Sequence, residues 1–528
     1  MRKFDLPGRS PVIAENGLAA TSHPLATSTA LTILRDGGNA VDAAIAASAV
    51  LAVVEPHMTG IGGDCFVILA EPDGAVHGLN GSGRSSARAR ADWYRERGFA
   101  KVPAYGPHSI TAPGAIKAWE ALARRFGTRG FDTLFGDAIR YAEEGFAIHP
   151  RVASDWPNHV DDLAADEGGR RHYLVDGKAP AAFSRFQLPA LGRTLRRIAA
   201  EGSRAFYEGE IAVEIARTVQ AGGGFLDEAD LAAVTADWVG TITTDYRGHT
   251  IHEIPPSGQG ITALIILNLM TELGADRLAP GSAERHHLMI EAARLAYAVR
   301  DREVADPAAM SGTVGQILSP AFTAALATGF DPERRNEALV LPPLPNSDTV
   351  YLTVVDRDRR AVSFINSIYS GFGARVVTPE SGIALQNRGA CFSLAEGHPN
   401  EIGPSKRPMH TIIPGMALKA GRPSIAFGVM GGAYQPMGHA SVLSNMLDHG
   451  MDPQEAIDHP RLFWGDDHVL EAETGIEAVA RADLEARGHS IRNAAAPLGG
   501  SQIIAIDHES GFMIGGSDPR KDGCAAGW

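Results

Sequence analysis

Thr349 stands where a hydroxyl could act as a nucleophile. The segment 341–345 before it, Leu-Pro-Pro-Leu-Pro, disfavours helix and should form an extended, exposed approach. Residues 349–356 are rich in β-branched and apolar side chains, which favours a strand. If the peptide bond before Thr349 were cut, its freed α-amine, with an ordinary pKa of about 8, would be a general base beside its own Oγ. From composition alone, a threonine that merely begins a strand is the commoner case.

The elements around Thr349 predict a sheet that the chain enters from an exposed linker. A second strand is predicted at 361–365, across the turn-like segment 357–360. Strands and helices alternate along the whole chain, which is typical of layered α/β packing. Further strands are predicted at 14–20, 60–69, 76–79, 241–246, 249–253, 424–430, 502–507 and 511–514. Helices are predicted at 22–36, 39–51, 116–148, 210–221, 228–234, 261–273, 283–301, 435–447 and 452–457.

Composition excludes several classes of protein. The 528 residues are enough for a large core, with 44% hydrophobic and 21% charged residues as in an ordinary globular protein. Lys and Arg number 48 against 62 Asp and Glu, a formal net charge of −14 without a basic run, so a nucleic-acid partner is not expected. No apolar run is long enough to span a membrane, and the first residues lack the apolar core of a signal peptide. We therefore expect a cytoplasmic protein.

Metal and nucleotide motifs are also missing from the sequence. The three cysteines are far apart and form no CxxC, which supports neither a disulfide framework nor a zinc site. His286 and His287 are adjacent in a predicted helix, where they point about 100° apart and make a poor metal pair, so we assign them to the surface or to packing. The glycine-rich segments 60–63 and 78–86 lack the spacing and the following helix of a dinucleotide or phosphate loop.

Several short motifs, taken together, resemble the γ-glutamyltransferase (glutathione hydrolase) family from about residue 15 to the C-terminus. None is specific alone, but they occur in the family's order. They are 33–44 (ILRDGGNAVDAA), 54–56 (VEP), 60–63 (GIGG), Asp348 with Thr349, 379–383 (PESGI), 406–408 (KRP), Gly431 with Gly432, and 517–520 (SDPR).

The resemblance implies a fold and a mechanism. Members are N-terminal-nucleophile (Ntn) hydrolases, so an α/β fold, a four-layer αββα sandwich, is expected. The precursor would cut itself between Asp348 and Thr349, and the large fragment 1–348 and the small fragment 349–528 would stay associated as one αββα unit. Thr349 would then form an acyl-enzyme with an amide, with its own α-amine relaying the proton. No cofactor or metal is implied.

The resemblance also assigns roles around the nucleophile. Gly431 and Gly432 match the oxyanion hole, where consecutive glycines after a strand can direct backbone N–H groups at one point. A plain turn is the alternative from local sequence. Ser367 falls where the family carries a hydroxyl that hydrogen-bonds the nucleophile, and Thr353 could orient the strand, although both could serve packing only.

The family's glutamate-binding residues are replaced in this sequence. The arginine that holds the glutamyl α-carboxylate is Ser82 here, the aspartate that holds the α-amine is Cys391, and the asparagine after the second strand is Tyr369. The hydroxyl pair after 406–408 is replaced by His410 and Thr411. Because a buried ammonium without a carboxylate partner is costly, γ-glutamyl binding in the usual pose is not expected.

A smaller acid fits the remaining side chains better. Arg84 or Arg388 could hold its carboxylate in a bidentate pair, and Tyr369, His410 and Thr411 could donate or accept hydrogen bonds. The segments 386–389 and 431–436 resemble the branch of the family that includes oxamate amidohydrolase.

We therefore expect a self-processing amidohydrolase that acts on a small, carboxylate-bearing amide. True γ-glutamyl transfer, a cephalosporin-acylase-like amidase and an unprocessed, non-catalytic binding protein are the alternatives. The expected partners are the small amide and the two self-cleaved fragments, and association into a homo-oligomer is left open.

Overall fold

The computed structural model of this protein describes residues 8–341, 349–465 and 467–528. Two seven-stranded sheets lie at its centre. The strands are β1 (Val12–Ala14), β2 (Leu18–Thr21), β3 (Asp64–Ala70), β4 (Val76–Gly81), β5 (Phe146–Ala147), β6 (Arg185–Phe186), β7 (Asp237–Val239), β8 (Ile242–Tyr246), β9 (His249–Glu253), β10 (Val350–Val355), β11 (Ala361–Ser367), β12 (Gly415–Lys419), β13 (Arg422–Met430), β14 (Leu462–Trp464), β15 (Leu470–Ala472), β16 (Ile491–Asn493), β17 (Gly500–Ile506), β18 (Met513–Ser517) and β19 (Cys524–Gly527).

Helices cover the outer faces of both sheets. They are α1 (Pro24–Arg35), α2 (Ala40–Val54), α3 (Ala91–Arg95), α4 (Ala115–Phe126), α5 (Phe131–Leu134), α6 (Gly136–Glu144), α7 (Pro150–Asp155), α8 (Val160–Ala165), α9 (Glu167–Tyr173), α10 (Pro189–Glu201), α11 (Arg204–Tyr207), α12 (Glu210–Ala221), α13 (Glu228–Ala232), α14 (Gly260–Glu272), α15 (Ala283–Glu303), α16 (Val314–Ile317), α17 (Pro320–Ala327), α18 (Gln435–Leu447), α19 (Pro453–Asp458) and α20 (Ala478–Ala486).

Both large sheets are antiparallel. The first has the order β1-β18-β17-β13-β12-β9-β8, and the second has the order β19-β2-β10-β11-β3-β4-β7. The register pairs Val350 of β10 with Asn366 of β11, and Ser367 of β11 with Asp64 of β3. Side chains of Thr349, Ser367 and Asp64 therefore follow one another across the second sheet at one end of its central strands.

The two sheets pack face to face, which gives four layers. In β10, Val350, Leu352 and Val354 join the core under the helices, whereas Tyr351 and Val355 join the core between the sheets. This alternation follows from the two-residue period of a strand, and both faces are buried. The outer layer on the second sheet includes the fully buried, alanine-rich α2, and the outer layer on the first includes α14, α15 and α18. The predicted αββα sandwich is confirmed.

Each large sheet contains strands from both sides of residue 349. In the second sheet, β10 and β11 lie between β2 and β3, and the first sheet places β12 beside β9. Neither side of residue 349 supplies either of the two large sheets completely. The hydrogen-bond ladders would hold the two parts together if the chain were cut there.

The helix predicted over 116–148 is wrong in its extent. α4 ends at Phe126, and the short helices α5 and α6 and the strand β5 occupy the rest of the segment. The break follows from Gly127 and from Asp42 of α2, whose carboxylate accepts the backbone N–H groups of Thr128 and Arg129. A contact with a helix more than 80 residues earlier cannot be read from local periodicity.

No helix in the described ranges combines the length and apolar composition needed to cross a membrane. The described residues also contain no group of His, Cys, Asp and Glu side chains arranged to hold a metal ion. His287 is buried, and its ring nitrogens lie 2.9 Å from His489 and 2.8 Å from the Asp331 carbonyl oxygen, which is a packing role.

Candidate active site

Thr349 lies buried at the start of β10 and faces the space between the sheets. Its Oγ1 is 3.1 Å from the Oγ of Ser367, the residue opposite it on β11. The Ser367 Oγ also accepts the backbone N–H of Tyr369 at 2.9 Å. The structure thus brings together the predicted nucleophile and the predicted hydroxyl partner. Thr353 has a different role, since its Oγ1 donates to the Val362 carbonyl within the sheet.

Gly431 and Gly432 form a turn at the end of β13 that requires glycine. Their φ angles are +120° and +54°, a region that side chains disfavour. A Cβ on Gly431 would lie 2.9 Å from the Cα of Gly499. Neither backbone N–H donates a hydrogen bond to an acceptor in the part of the chain that the structure describes. Thr349 and Gly431 line the same cavity, of ≈ 310 Å³, so the glycine turn begins beside the predicted nucleophile.

Two side chains that were not predicted from the sequence, Gln259 and Tyr297, hold this turn in place by hydrogen bonds. Gln259 donates from Nε2 to the Gly432 carbonyl at 2.9 Å and accepts from Arg300 at 3.1 Å. The Tyr297 hydroxyl donates to the Ala433 carbonyl. Gln259 belongs to the glycine- and proline-rich loop 255–260. A polar residue in such a loop, just before an apolar helix, is the sequence feature that could have indicated its role.

Arg388 is fully buried beside the Ser367 hydroxyl. Its Nη1 donates to Thr411 Oγ1 at 2.7 Å, and its Nη2 lies 3.5 Å from Ser367 Oγ. The guanidinium stacks 4.3 Å above the ring of Tyr369, and its Nε has no hydrogen-bond partner among the residues that the structure describes. The described residues offer Arg388 no carboxylate at ion-pair distance. A buried cation of this kind is costly unless a ligand neutralises it.

A second cavity, of ≈ 420 Å³, begins at Tyr369 and Thr411. Cys391 also lines it, with its Sγ 3.8 Å from Arg388 Nη1. Much of the remaining wall is apolar. Its apolar side chains are Val102, Val304, Phe392 and Met409. Ala433 lines both this cavity and the one at Thr349, so the two spaces lie on either side of the glycine turn.

His410, one of the predicted substrate-binding residues, does not line either cavity. Its ring is buried against Phe66, and its Nε2 lies 3.0 Å from Asp64 Oδ2. Its Nδ1 accepts the backbone N–H of Ile412, so the ring proton is on Nε2. Burial, with the nearby Arg388 charge, lowers the pKa of His410 to about 4, so the ring is neutral at pH 7. Both nitrogens are used, which leaves His410 no free group for a substrate.

Arg84 is not brought into this group. Its side chain is 41% exposed, and Nη1 lies 3.2 Å from Asp306 Oδ2 and 3.2 Å from the Ser405 carbonyl oxygen. Of the two arginines named from the sequence, only Arg388 is buried beside Ser367, the residue that contacts Thr349. Asp348, the other half of the predicted cleavage site, lies outside the described residues.

Known proteins resemble this chain in sequence and in fold. Residues 26–528 match the profile of the Gamma-glutamyltranspeptidase family. The chain is 36% identical over 527 residues to the glutathione hydrolase-like YwrD proenzyme of Bacillus subtilis, covering 98% of this chain and 99% of that protein. It is 35% identical over 536 residues to the oxamate amidohydrolase proenzyme of Klebsiella pneumoniae, covering 98% and 99%.

The fold has a close match among solved structures. The crystal structure of a cephalosporin acylase from Bacillus halodurans superposes with a TM-score of 0.93 at 38% identity, covering 100% of this chain and 99% of that chain. The names of these three proteins refer to different compounds: glutathione, oxamate and cephalosporin. The chain belongs to the gamma-glutamyltranspeptidase family and is an enzyme of its Ntn-hydrolase type.

Proposed function

We propose that this chain is a self-processing amidohydrolase that acts on small amides whose acyl part carries a carboxylate. Arg388 carries the proposal: it is a fully buried cation with no carboxylate partner in the described chain, next to the hydroxyl that contacts Thr349. A substrate carboxylate would supply the missing counter-charge. It would also give the unpartnered Nε an acceptor, in the bidentate geometry that guanidinium favours.

The position of Arg388 limits the length of the acyl group. The Ser367 Oγ lies 3.1 Å from Thr349 Oγ1 and 3.5 Å from Arg388 Nη2, so one hydroxyl separates the nucleophile from the cation. An acid whose carboxylate is only a few bonds from the amide carbonyl fits this spacing. An oxamate-like substrate, in which the two carbons are adjacent, is the shortest of this class.

The first reaction in the proposal is self-cleavage. Thr349 Oγ attacks the Asp348 carbonyl carbon, the C–N bond between the two residues breaks, and an ester forms as the Thr349 nitrogen takes up a proton. Water then hydrolyses the ester, which frees the Asp348 carboxylate, the Thr349 hydroxyl and its α-amine. Fragments 1–348 and 349–528 would stay associated, because both sheets combine strands from the two sides.

The second reaction uses the same hydroxyl on the substrate. The α-amine, with an ordinary pKa of about 8, takes the Oγ proton as Thr349 attacks the amide carbonyl. The N–H groups of Gly431 and Gly432 stabilise the oxyanion, an interaction typically worth about 3–4 kcal/mol. The α-amine passes the proton to the leaving amine, and water then releases the acid from the ester. The cavity beside Thr349, walled by Phe463 and Trp464, has room for the leaving group.

A second candidate is a cephalosporin-acylase-like amidase. The cavity of ≈ 420 Å³ beyond Tyr369 has an apolar wall, more space than an oxamate-sized acid fills. The similarity to the solved cephalosporin acylase, with a TM-score of 0.93, also supports this second candidate. A longer acyl chain that occupies this cavity would distinguish such substrates from oxamate.

A substrate comparison tests the proposal. Ammonia release from oxamate is measured beside release from oxamide, which replaces the carboxylate by a neutral amide of the same shape. Two charge-assisted bonds to Arg388 should give oxamate a kcat/KM about 100-fold above that of oxamide. Glutathione and a glutaryl amide complete the panel. Equal turnover of oxamate and oxamide, or a preference for glutathione, would contradict the proposed substrate class.

A further inference from the structure

Asp64 is a buried carboxyl group with no contact to the nucleophile in the described chain. It opens β3 and lies opposite Ser367 in the register. Its Oδ1 accepts the backbone N–H groups of Gly83 at 2.9 Å and Gly114 at 3.1 Å. Burying a carboxylate is costly, and two backbone donors offset part of that cost. Neither backbone donor explains why a charged residue, rather than asparagine, stands here.

The other two donors to Asp64 belong to the segments that carry the cation site. Gln386 donates from Nε2 to Oδ1 at 3.0 Å, and Gln386 lies two residues before Arg388. His410 donates from Nε2 to Oδ2 at 3.0 Å, and the next residue, Thr411, accepts from Arg388 Nη1. One carboxyl group thus ties together the segment that supplies the guanidinium and the segment that supplies its hydroxyl partner.

His410 connects Asp64 to the segment that contains Thr411, and its own ring carries no charge. Its ring is neutral with the proton on Nε2, because Nδ1 accepts the Ile412 N–H. Its ring bonds only to Asp64 and to the Ile412 N–H within the described chain, and the connection to Arg388 runs through the neighbouring Thr411. Asp64 is thus connected to Arg388 through hydrogen-bonded groups and not through an ion pair in the described chain.

We propose that Asp64 is a positioning residue that sets the Arg388 guanidinium, through Gln386, His410 and Thr411, for the carboxylate of the substrate. The inference rests on the proposed function, since it explains how acid recognition is built. It also gives His410 a role other than substrate contact. Asparagine at position 64 could keep the three bonds to Oδ1, but its NH₂ group would face the N–H of His410.

Two substitutions separate this role from a purely structural one. Asp64→Asn should raise KM for oxamate about 10- to 100-fold, because it removes the hydrogen bond between the Asp64 carboxylate and His410 that helps to position Arg388. The kcat/KM for oxamide should stay within about twofold, since oxamide has no carboxylate to bind. His410→Leu removes the same link and should change the two substrates in the same way. His410→Gln keeps an N–H donor for Asp64 and should stay close to the wild type.

The outcomes distinguish this inference from the proposed function. A wild-type enzyme with no preference for oxamate over oxamide would overturn the acid-binding role of Arg388, and this inference with it. If the wild type prefers oxamate and Asp64→Asn lowers the turnover of oxamate and of oxamide in equal proportion, the inference alone would be overturned. If Asp64→Asn does not fold, oxamate and oxamide kinetics of His410→Leu and His410→Gln test the inference instead. Equal kinetics of these two variants would refute the connection from Asp64 to Arg388.

Discussion

A Thr349→Ala chain is expected to remain a single polypeptide and to release no measurable ammonia from oxamate. Thr349 is the one hydroxyl that the proposal uses in both reactions, for self-cleavage and for the acyl-enzyme. Loss of a covalent nucleophile typically lowers kcat by at least about a thousandfold. The fold should be retained, because the side chain removed is small and its described contact is one hydroxyl. Gel electrophoresis and an ammonia assay measure the two effects.

Thr349→Ser is the matched control for this experiment. It keeps a hydroxyl at the same position, so we expect cleavage and turnover to persist at a reduced rate. Ser367→Ala keeps the nucleophile and removes its hydrogen-bond partner, and we expect slower cleavage but not its loss. A Thr349→Ala chain that is cut at residue 349, or that hydrolyses oxamate at the wild-type rate, would show that another residue is the nucleophile.

Arg388→Gln should lower kcat/KM for oxamate by about 100- to 10 000-fold, the effect expected from losing two charge-assisted bonds. Turnover of oxamide should change little, since that substrate has no carboxylate. Thermal stability should be unchanged or higher, because replacing a buried and uncompensated charge by a neutral group removes a desolvation cost. Steady-state kinetics on the two substrates and a thermal melt measure these effects.

Arg84→Ala is the control for Arg388→Gln. Arg84 is partly exposed and paired with Asp306, so its loss should leave KM for oxamate unchanged. Arg388→Lys keeps the charge but not the planar fork, so it should restore oxamate binding only in part. If Arg388→Gln lowers oxamate and oxamide turnover equally, Arg388 supports the fold and does not recognise the acid.

Local sequence predicted the strand that follows Thr349 and a turn at the two glycines, whereas the catalytic roles of these residues came from the family resemblance and stay predictions. The β-branched run after a proline-rich segment predicted β10, and the structure begins this strand at Val350. The two glycines after β13 have positive φ values, as a turn built from glycine allows. The family, the αββα fold and the enzyme class were predicted from motifs in order, and the comparisons confirm all three. Cleavage, cytoplasmic location and a homo-oligomer stay predictions.

The sequence alone could not show which of the candidate substrate-binding residues lie close to Thr349. Arg84 and Arg388 were equal candidates, and only the fold shows that one is buried at Ser367 while the other pairs with Asp306. His410 was expected to contact the substrate, but its partner Asp64 lies 346 positions away along the chain. Gln259 reaches Gly432 across 173 positions. Contacts of this range depend on tertiary packing, which no local pattern encodes.

The central claim is that Thr349 becomes the N-terminal residue of a new fragment. Intact-mass measurement under denaturing conditions, with N-terminal sequencing of every species, tests it directly. We expect two species, of which the smaller begins Thr349-Val-Tyr and has the mass of residues 349–528. A single uncut chain that persists on prolonged incubation and still hydrolyses amides would contradict the claim, as would a fragment that begins at any other residue.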